Sequence, residues 1–201
     1  MELALTRRQY EFVNARADEV LFGGAAGGGK SFGQMADALI YTLRYPGSKQ
    51  LLLRRTLTEL DKSLVRIAQS LYPREWFTYQ KSAHVGQFAN GSLLDFGYLD
   101  KESDVYKYQS AEYDVIRFDE LTHFSEATYV YLISRLRGVS DFPRSVRSTT
   151  NPGGAGHGWV KARFIDIGPP DTVYRFTAGS RIFLPSRVTD NRFLMRADPG
   201  Y

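Results

Sequence analysis

The stretch VLFGGAAGGGKSFG, residues 20–33, joins an apolar segment to a run of small residues that leads into Lys30 and Ser31. Glycine loses more backbone freedom on folding than any other residue, so the six glycines of this stretch are costly to order. The apolar residues before the run predict a buried strand, and SFGQMADALIYTLRY after it predicts an amphipathic helix. The glycines therefore lie at a strand-to-helix turn that needs backbone free of side chains.

Residues 24–31, GAAGGGKS, match the pattern G-x-x-x-x-G-K-[ST] of a phosphate-binding P-loop in its strand–turn–helix context. Backbone N–H groups converge on phosphate oxygens in such a loop, and side chains would block their approach. An incidental Lys-Ser pair in a flexible glycine turn is the weaker interpretation, because chance produces the pattern in about one chain in a hundred of this length. The predicted phosphate-binding residues are Gly24, Ala25, Ala26, Gly27, Gly28, Gly29, Lys30 and Ser31.

Lys30 and Ser31 have distinct predicted roles within this loop. The lysine can reach the outer phosphates as a mobile positive charge, and the serine hydroxyl can bind Mg²⁺. The helix that begins near Lys30 adds its positive N-terminal dipole. These residues predict a site for a nucleoside triphosphate with Mg²⁺.

A carboxylate pair ends the strand predicted over 113–120, YDVIRFDE. A nucleoside triphosphate site needs a carboxylate at the end of a neighbouring strand to hold Mg²⁺ and its water ligands, and Asp119 has that position. Glu120 is placed to orient or deprotonate the water that attacks the γ-phosphate. An isolated Asp-Glu pair is more often an exposed turn, but after a P-loop it predicts the metal-binding and catalytic residues.

Two further polar stretches are weaker signals. Thr149, Thr150 and Asn151 end the next predicted strand and would be placed to sense the γ-phosphate, although an ordinary Asn-Pro turn explains them about equally well. Gln9 lies upstream of the P-loop strand, and its amide offers the donor and acceptor that an adenine edge requires. An exposed glutamine on a helix remains the default interpretation of Gln9.

Strands and helices alternate along the rest of the chain, which predicts an α/β fold with a mainly parallel central sheet flanked by helices. Asn90-Gly91 lies between two alternating runs and predicts a β-hairpin excursion near 84–98. Helices are predicted over 6–17, 31–45, 56–72 and 127–138. Strands are predicted over 20–22, 49–55, 113–120, the start of 145–154, 173–178 and 181–186.

Composition and charge narrow the functional classes. The 201 residues, 43% of them hydrophobic, suit one domain with a sizeable core, and the lack of cysteine excludes disulfides and thiolate metal sites. No apolar run reaches the roughly 18 residues of a membrane span, so no membrane partner is expected.

Residues 135–201 carry ten arginines and Lys161 against five acids. A solvated basic face is the favoured interpretation, and contact with a polyanion such as DNA remains open.

Taken together, the sequence resembles the ATPase domain of the large terminase subunit of tailed bacteriophages. The resemblance covers nearly the whole chain, and the succession from DELTHF through TTNPGG to GHGWVK is its most specific part. It implies a P-loop ATPase of the additional-strand, catalytic-glutamate type that uses ATP and Mg²⁺ to drive double-stranded viral DNA into a capsid. The motifs are TRRQ, FGGAAGGGKS, FDELTHF, YLISRLRG, STTNPGGAGHGWVKARF and FLPSRVTDNRFL…DPGY.

The resemblance also implies roles for individual residues. The resemblance implies that Gln9 recognises the adenine base, that Asp119 binds Mg²⁺ and that Glu120 is the catalytic residue. Residues 149–151 would couple the loss of the γ-phosphate to movement. Family members complete their active site with an arginine in trans, yet the P-loop here has none and residues 107–114 offer only Lys107. The remaining candidates for the trans arginine are Arg135, Arg137 and Arg163.

Assembly and localisation follow from the same resemblance. It implies a ring at the procapsid portal in the host cytoplasm, with the portal protein and the small terminase subunit as partners. We expect residues 1–201 to form a single ATPase domain, without the family's C-terminal RNase H-like nuclease, so this chain by itself should not cut DNA. Two alternatives stay open: a helicase-like DNA translocase on the same core, and a non-hydrolysing, nucleotide-gated scaffold.

Overall fold

A computed structural model describes residues 3–198 and Gly200. Of the closing motif DPGY, Pro199 and Tyr201 therefore lie outside the described residues. The strands are β1 (Glu19–Gly24), β2 (Lys49–Arg54), β3 (Phe77–Gln80), β4 (Val85–Phe88), β5 (Leu93–Tyr98), β6 (Val115–Phe118), β7 (Ser145–Thr150), β8 (Tyr174–Phe176) and β9 (Gly179–Ser186).

Helices connect most of these strands. The α-helices are α1 (Arg7–Asn14), α2 (Lys30–Arg44), α3 (Leu57–Leu60), α4 (Arg66–Leu71), α5 (Glu126–Ile133), α6 (His157–Val160) and α7 (Arg192–Ala197). Two π-helical segments, Asp61–Val65 and Lys161–Ile165, continue α3 and α6. Short 3₁₀ segments cover Glu102–Tyr108, Leu121–His123 and Val188–Asp190.

One sheet has the order β3-β4-β5-β2-β6-β7-β1-β9-β8. The strands from β5 to β9 in this order pair in parallel, while β3–β4, β4–β5 and β8–β9 pair antiparallel. The strand β7 is inserted between the P-loop strand β1 and the carboxylate strand β6, which is the additional strand of the predicted fold type. The α/β fold with a mainly parallel sheet and the hairpin at Asn90-Gly91 are both confirmed.

The central strands of the sheet are buried on both faces, and this explains the unbroken apolar run of β2. Leu51 and Leu53 point into a core cluster that includes Phe118, whereas Leu52 points into the opposite cluster with Met35. A parallel strand covered by helices on both sides needs apolar side chains at successive positions. The parallel ladder in turn brings the carboxyl ends of β1, β2, β6, β7 and β9 to one edge.

Helix α5 is shorter than the 127–138 segment that periodicity predicts. It ends at Ile133, where the Ser134 hydroxyl donates to the Tyr131 carbonyl at 2.6 Å. The chain then turns so that Leu136 bridges to Tyr113 beside β6, and the helix does not continue to Gly138. This isolated bridge to a residue distant in sequence outweighs local helix propensity here. The strand β3 is an element that the sequence prediction missed.

Candidate nucleotide-binding site

The P-loop connects β1, which ends at Gly24, to α2, which begins at Lys30. Gly24 has φ 139°, a conformation that other residues rarely adopt. A Cβ atom at Gly24 would also overlap the main-chain oxygen of Ser186, and one at Gly28 would overlap the Ser186 side chain. The glycines are therefore required by the close approach of β9 as well as by the phosphate-binding function predicted for the loop.

Two residues at and beyond the end of β9 hold the loop in place, and sequence reasoning assigned neither of them a role. Ser186 accepts the Ala25 N–H at its carbonyl, at 3.0 Å, and its hydroxyl donates to the Gly28 carbonyl at 3.2 Å. The Asn191 amide donates to the Gly27 carbonyl at 2.7 Å. Both residues belong to the closing motif FLPSRVTDNRFL, which was the only signal that pointed to them.

Lys30 is largely buried beneath the loop, and its Nζ donates to the Ala25 carbonyl at 2.6 Å. Burial lowers the pKa of Lys30, and the nearby carboxylates of Glu120 and Asp119 oppose that shift. The lysine therefore lies within the electrostatic field of the carboxylate pair, and its role in neutralising phosphate charge stays a prediction.

Asp119 is fully buried at the end of β6 and is surrounded by donors. Ser31 donates to its Oδ1 atom at 3.2 Å, and Thr149 donates to the same atom at 2.6 Å. The guanidinium of Arg54 donates to Oδ2. The structure thus joins three of the predicted site residues, Asp119, Ser31 and Thr149, around one carboxylate. It also adds Arg54, the last residue of β2, to which no sequence motif pointed.

Glu120 has left-handed backbone dihedrals, φ 58° and ψ 62°, which are uncommon for a residue with a side chain. Its carboxylate is held by Asn151 through two hydrogen bonds, from the main-chain N–H to Oε2 at 3.0 Å and from Nδ2 to Oε1 at 2.6 Å. Strained backbone of this kind costs roughly 1–3 kcal/mol and often marks functional positions. The carboxylate is therefore oriented by the end of the neighbouring strand.

Thr150 and Gln9 lie near the loop but their polar groups bond within the protein. The Thr150 hydroxyl donates to the Asn151 carbonyl at 3.1 Å and faces Thr122, away from Asp119. Gln9 is buried, donates to the Gly29 carbonyl at 2.8 Å and accepts the Thr6 N–H at 2.9 Å. The structure places Gln9 against the P-loop, and its adenine-reading role stays a prediction.

The three candidate trans arginines lie at the amino edge of the sheet, opposite the P-loop. Arg163 pairs with Glu19 at the start of β1, with Nε–Oε2 at 2.7 Å. Arg137 faces Glu112 at 3.7 Å, beside the start of β6. Arg135 donates to the Gln109 carbonyl near the same strand. None of them joins the site within this chain, and a role in trans stays a prediction.

The donors at the P-loop edge fit a nucleotide with Mg²⁺. The Ser31 hydroxyl and the Asp119 carboxylate, 3.2 Å apart, are the hard oxygen ligands that Mg²⁺ prefers. Within residues 3–198 and Gly200, no three His, Cys, Asp or Glu side chains cluster as an all-protein metal cage. A site with few protein ligands suits Mg²⁺, which usually keeps several waters and binds substrate phosphates.

The sequence of this chain matches the model of a known protein family. The family model described as phage terminase large subunit matches residues 16–198. No individual curated sequence matches significantly. Among solved structures of similar fold, a large terminase from a thermophilic bacteriophage has TM-score 0.75 and 14% identity, with 99% of this chain and 51% of that chain covered.

Two further structures extend the comparison. The large terminase of the same thermophilic phage in complex with ATP-gamma-S has TM-score 0.72 and 15% identity, over 98% of this chain and 50% of that one. The bacteriophage Phi-29 viral genome packaging motor assembly has TM-score 0.64 and 16% identity, over 98% of this chain and 62% of that one. The present chain thus spans about half the length of the first terminase, and at these identities the likeness concerns the fold alone.

In the part of the chain that the structure describes, none of the helices is long and apolar enough to cross a membrane.

Proposed function

The chain belongs to the phage terminase large-subunit family, and we propose that it is a Mg²⁺-dependent ATPase that powers the movement of double-stranded viral DNA into a capsid. One observation carries the proposal: Glu120 is oriented by Asn151 directly beside the Asp119–Ser31 pair. This arrangement supports Glu120 as a general base beside metal ligands, at the edge of the sheet where the P-loop lies. A terminase of similar fold that was solved with ATP-gamma-S supports the choice of nucleotide.

The proposed chemistry assigns one task to each residue. Ser31 and Asp119 would hold Mg²⁺, which would offset the negative charge of the phosphates when bound. Lys30 and the N–H groups of the loop stabilise the charge that develops on the γ-phosphate. Glu120 orients the attacking water and accepts its proton. Asn151, which bonds to Glu120 through both main chain and side chain, transmits the loss of the γ-phosphate to β7.

We extend the proposal to assembly. Residues 1–201 act as one ATPase domain, and copies form a ring at the procapsid portal in the host cytoplasm, with the portal protein and small terminase subunit as partners. The Phi-29 packaging motor assembly, which resembles this chain in fold, supports a motor role.

The experiment that tests the function is Glu120→Gln. The amide keeps the size of the side chain but cannot accept the proton, so hydrolysis should fall at least about 100-fold. ATP binding, measured by calorimetry with Mg²⁺, should stay within a few-fold of the parent. Phosphate release at the parent rate would refute the catalytic role of Glu120.

Two alternatives have their own readouts. A helicase-like translocase would separate the strands of a duplex, whereas a packaging motor should move duplex DNA without unwinding it. A nucleotide-gated scaffold would bind ATP tightly and hydrolyse none of it at high protein concentration. The Glu120–Asn151 contact argues against the scaffold, because binding alone does not require an oriented carboxylate.

A further inference from the structure

A cavity of about 680 Å³ opens at the edge of the sheet opposite the P-loop. Its walls include Asp18 before β1, Ser145 at the start of β7, Ser180 in β9 and Arg44 in the last turn of α2. Helix α2 begins at the P-loop, and its cavity-lining residues start at Asp37, about 10 Å along the helix from Lys30 at 1.5 Å per residue. Neither the P-loop nor the Asp119–Glu120 pair lines the cavity. The cavity is therefore separate from the nucleotide site.

Every cationic side chain that lines the cavity is an arginine, and there are five: Arg16, Arg44, Arg144, Arg147 and Arg175. Three of them, Arg16, Arg44 and Arg175, are exposed at the rim, and none of the three pairs with a carboxylate in the described part of the chain. Arg144 donates to the Gly138 and Ser140 carbonyls, and its buried Nε has no hydrogen-bond partner among the described residues. The rim and one wall therefore carry arginines that form no ion pair in the described part of the chain.

Two aspartates, Asp18 and Asp37, also line the cavity, so its five arginines leave an excess of three positive charges. Asp18 accepts hydrogen bonds from the Ser180 N–H at 2.7 Å and from its hydroxyl at 2.6 Å. Asp37 is shared by Arg117, which is fully buried, and by Arg147, whose Nε lies 3.9 Å from its Oδ2. Two largely buried guanidinium groups thus face one carboxylate behind the cavity.

Such an excess of buried positive charge is unfavourable unless an anion compensates for it. Burial lowers the pKa of Arg147; the Asp37 charge opposes this shift, and the charge of Arg117 adds to it. The guanidinium of Arg147 donates to the carbonyls of Phe12 and Ala15, at 2.8 and 2.9 Å, which fixes the group without neutralising it. An anionic ligand at the cavity would relieve this imbalance.

We propose that this arginine-lined cavity binds phosphate groups of the DNA backbone. The inference rests on the proposed function, since a motor that moves duplex DNA must hold its backbone. Arginine matches phosphate geometry with paired donors, and backbone contacts are the main source of non-specific DNA affinity. A concave site with a charged wall suits a protruding phosphate better than a flat acidic protein surface, which would meet only the rim arginines.

The test uses two exposed rim arginines, so that the fold is not disturbed. The variant Arg44→Glu/Arg175→Glu is compared with Arg66→Glu/Arg74→Glu, which changes the net charge equally at exposed positions outside the cavity. Binding of a short labelled duplex is followed by fluorescence anisotropy over a series of salt concentrations. Each lost phosphate contact reduces the slope of log affinity against log salt by about 0.9, so the cavity variant should lose about 2 and the control far less.

A second variant, Arg16→Ala, removes one rim contact without reversing charge and should lower the slope by about 1. Equal losses in the cavity and control variants, or an unchanged slope in all of them, would overturn the proposal. So would displacement of the duplex by poly-glutamate as efficiently as by unlabelled DNA at equal charge, because the cavity would then recognise any acidic polymer.

Failure here and failure of the proposed function are distinguishable. Nucleotide binding and hydrolysis by the same variants are measured without DNA, and the cavity variants should match the parent in both. If the chain binds DNA through the cavity but does not hydrolyse ATP, the proposed ATPase function is refuted and the proposal that the cavity binds DNA is supported. If the chain hydrolyses ATP but its DNA binding does not depend on the cavity arginines, only the proposal that the cavity binds DNA is refuted.

Discussion

Asn151 donates to both carboxylate oxygens of Glu120, from its main-chain N–H at 3.0 Å and from its side-chain amide at 2.6 Å. The two residues follow the ends of neighbouring parallel strands, β7 and β6, so their contact follows from strand pairing. Glu120 is thereby held in one orientation although its own backbone is strained. A change in the position of Asn151 must move the carboxylate, which links the proposed general base to the strand that leads into Asn151.

Replacing Asn151 with alanine should release Glu120. We expect kcat for ATP hydrolysis to fall about 10- to 100-fold, because a misplaced catalytic group loses the benefit of positioning, while the Kd for ATP changes only a few-fold. Steady-state phosphate release and calorimetry measure the two quantities. Ser148→Ala in β7, the strand that leads into Asn151, is the control, since the buried Ser148 hydroxyl makes no hydrogen bond in the described structure. Equal effects of the two substitutions would contradict the positioning role.

Arg54 and Mg²⁺ would share the carboxylate of Asp119. The Arg54 guanidinium already donates to Oδ2 of Asp119. Removing its positive charge should therefore strengthen the attraction of Asp119 for Mg²⁺. Arg54→Ala should therefore lower the Mg²⁺ concentration that gives half-maximal nucleotide binding in a calorimetric titration. Arg55→Ala is the control, because Arg55 bonds to the Asp100 carbonyl outside the site. A midpoint that stays constant or rises in Arg54→Ala would exclude this competition.

Glu19 should contribute stability that depends on pH. Burial by itself would raise the pKa of Glu19, but hydrogen bonds from Arg163, Tyr129 and Arg181 outweigh burial and lower it. A carboxylate whose pKa is lower in the folded protein than in the unfolded chain stabilises the fold at pH values above the unfolded pKa, 4.5 for Glu19. This stabilisation is lost as the pH falls through the folded pKa. Glu19→Gln should therefore cost about 3 kcal/mol in the free energy of unfolding at pH 7, and less at pH 4 and below.

Urea denaturation at pH 7 and at acidic pH measures this difference. The control is Glu112→Gln, which removes an exposed pair with Arg137 and should change the free energy of unfolding by less than about 1 kcal/mol at either pH. A cost for Glu19→Gln that does not decrease on acidification would show that the pair is held by packing rather than by charge.

Hydrolysis per subunit should rise with protein concentration. Because Arg135, Arg137 and Arg163 lie at the edge away from the P-loop, none of them reaches the site of its own chain. A second subunit would have to supply the trans arginine, so the rate per subunit depends on assembly. A rate that is independent of concentration would remove the requirement for a partner.

Mixed subunits identify the arginine. If Arg135 acts in trans, a mixture of Glu120→Gln and Arg135→Ala chains should regain hydrolysis that neither chain has alone. The corresponding Arg163 variant is less informative, because it also breaks the buried pair with Glu19.

Several features of the site were predictable because they depend on neighbouring residues. The strand, glycine turn and helix around Lys30 are contiguous, and backbone geometry makes that combination recognisable. The end of helix α5 was predicted wrongly for the opposite reason. Its last predicted turn is replaced by pairing between Leu136 and Tyr113, a contact that local propensity does not contain.

The sequence by itself determined the P-loop, the carboxylate pair Asp119–Glu120 and the alternation of strands and helices that specifies a mainly parallel sheet. Only the tertiary structure decided which groups meet them. Asp119 receives Arg54 from 65 residues away, and the P-loop receives Ser186 from 158 residues away. The physical reason is that parallel strands bring their carboxyl ends to one edge through the order in which they pair, and that order is a property of the packed sheet.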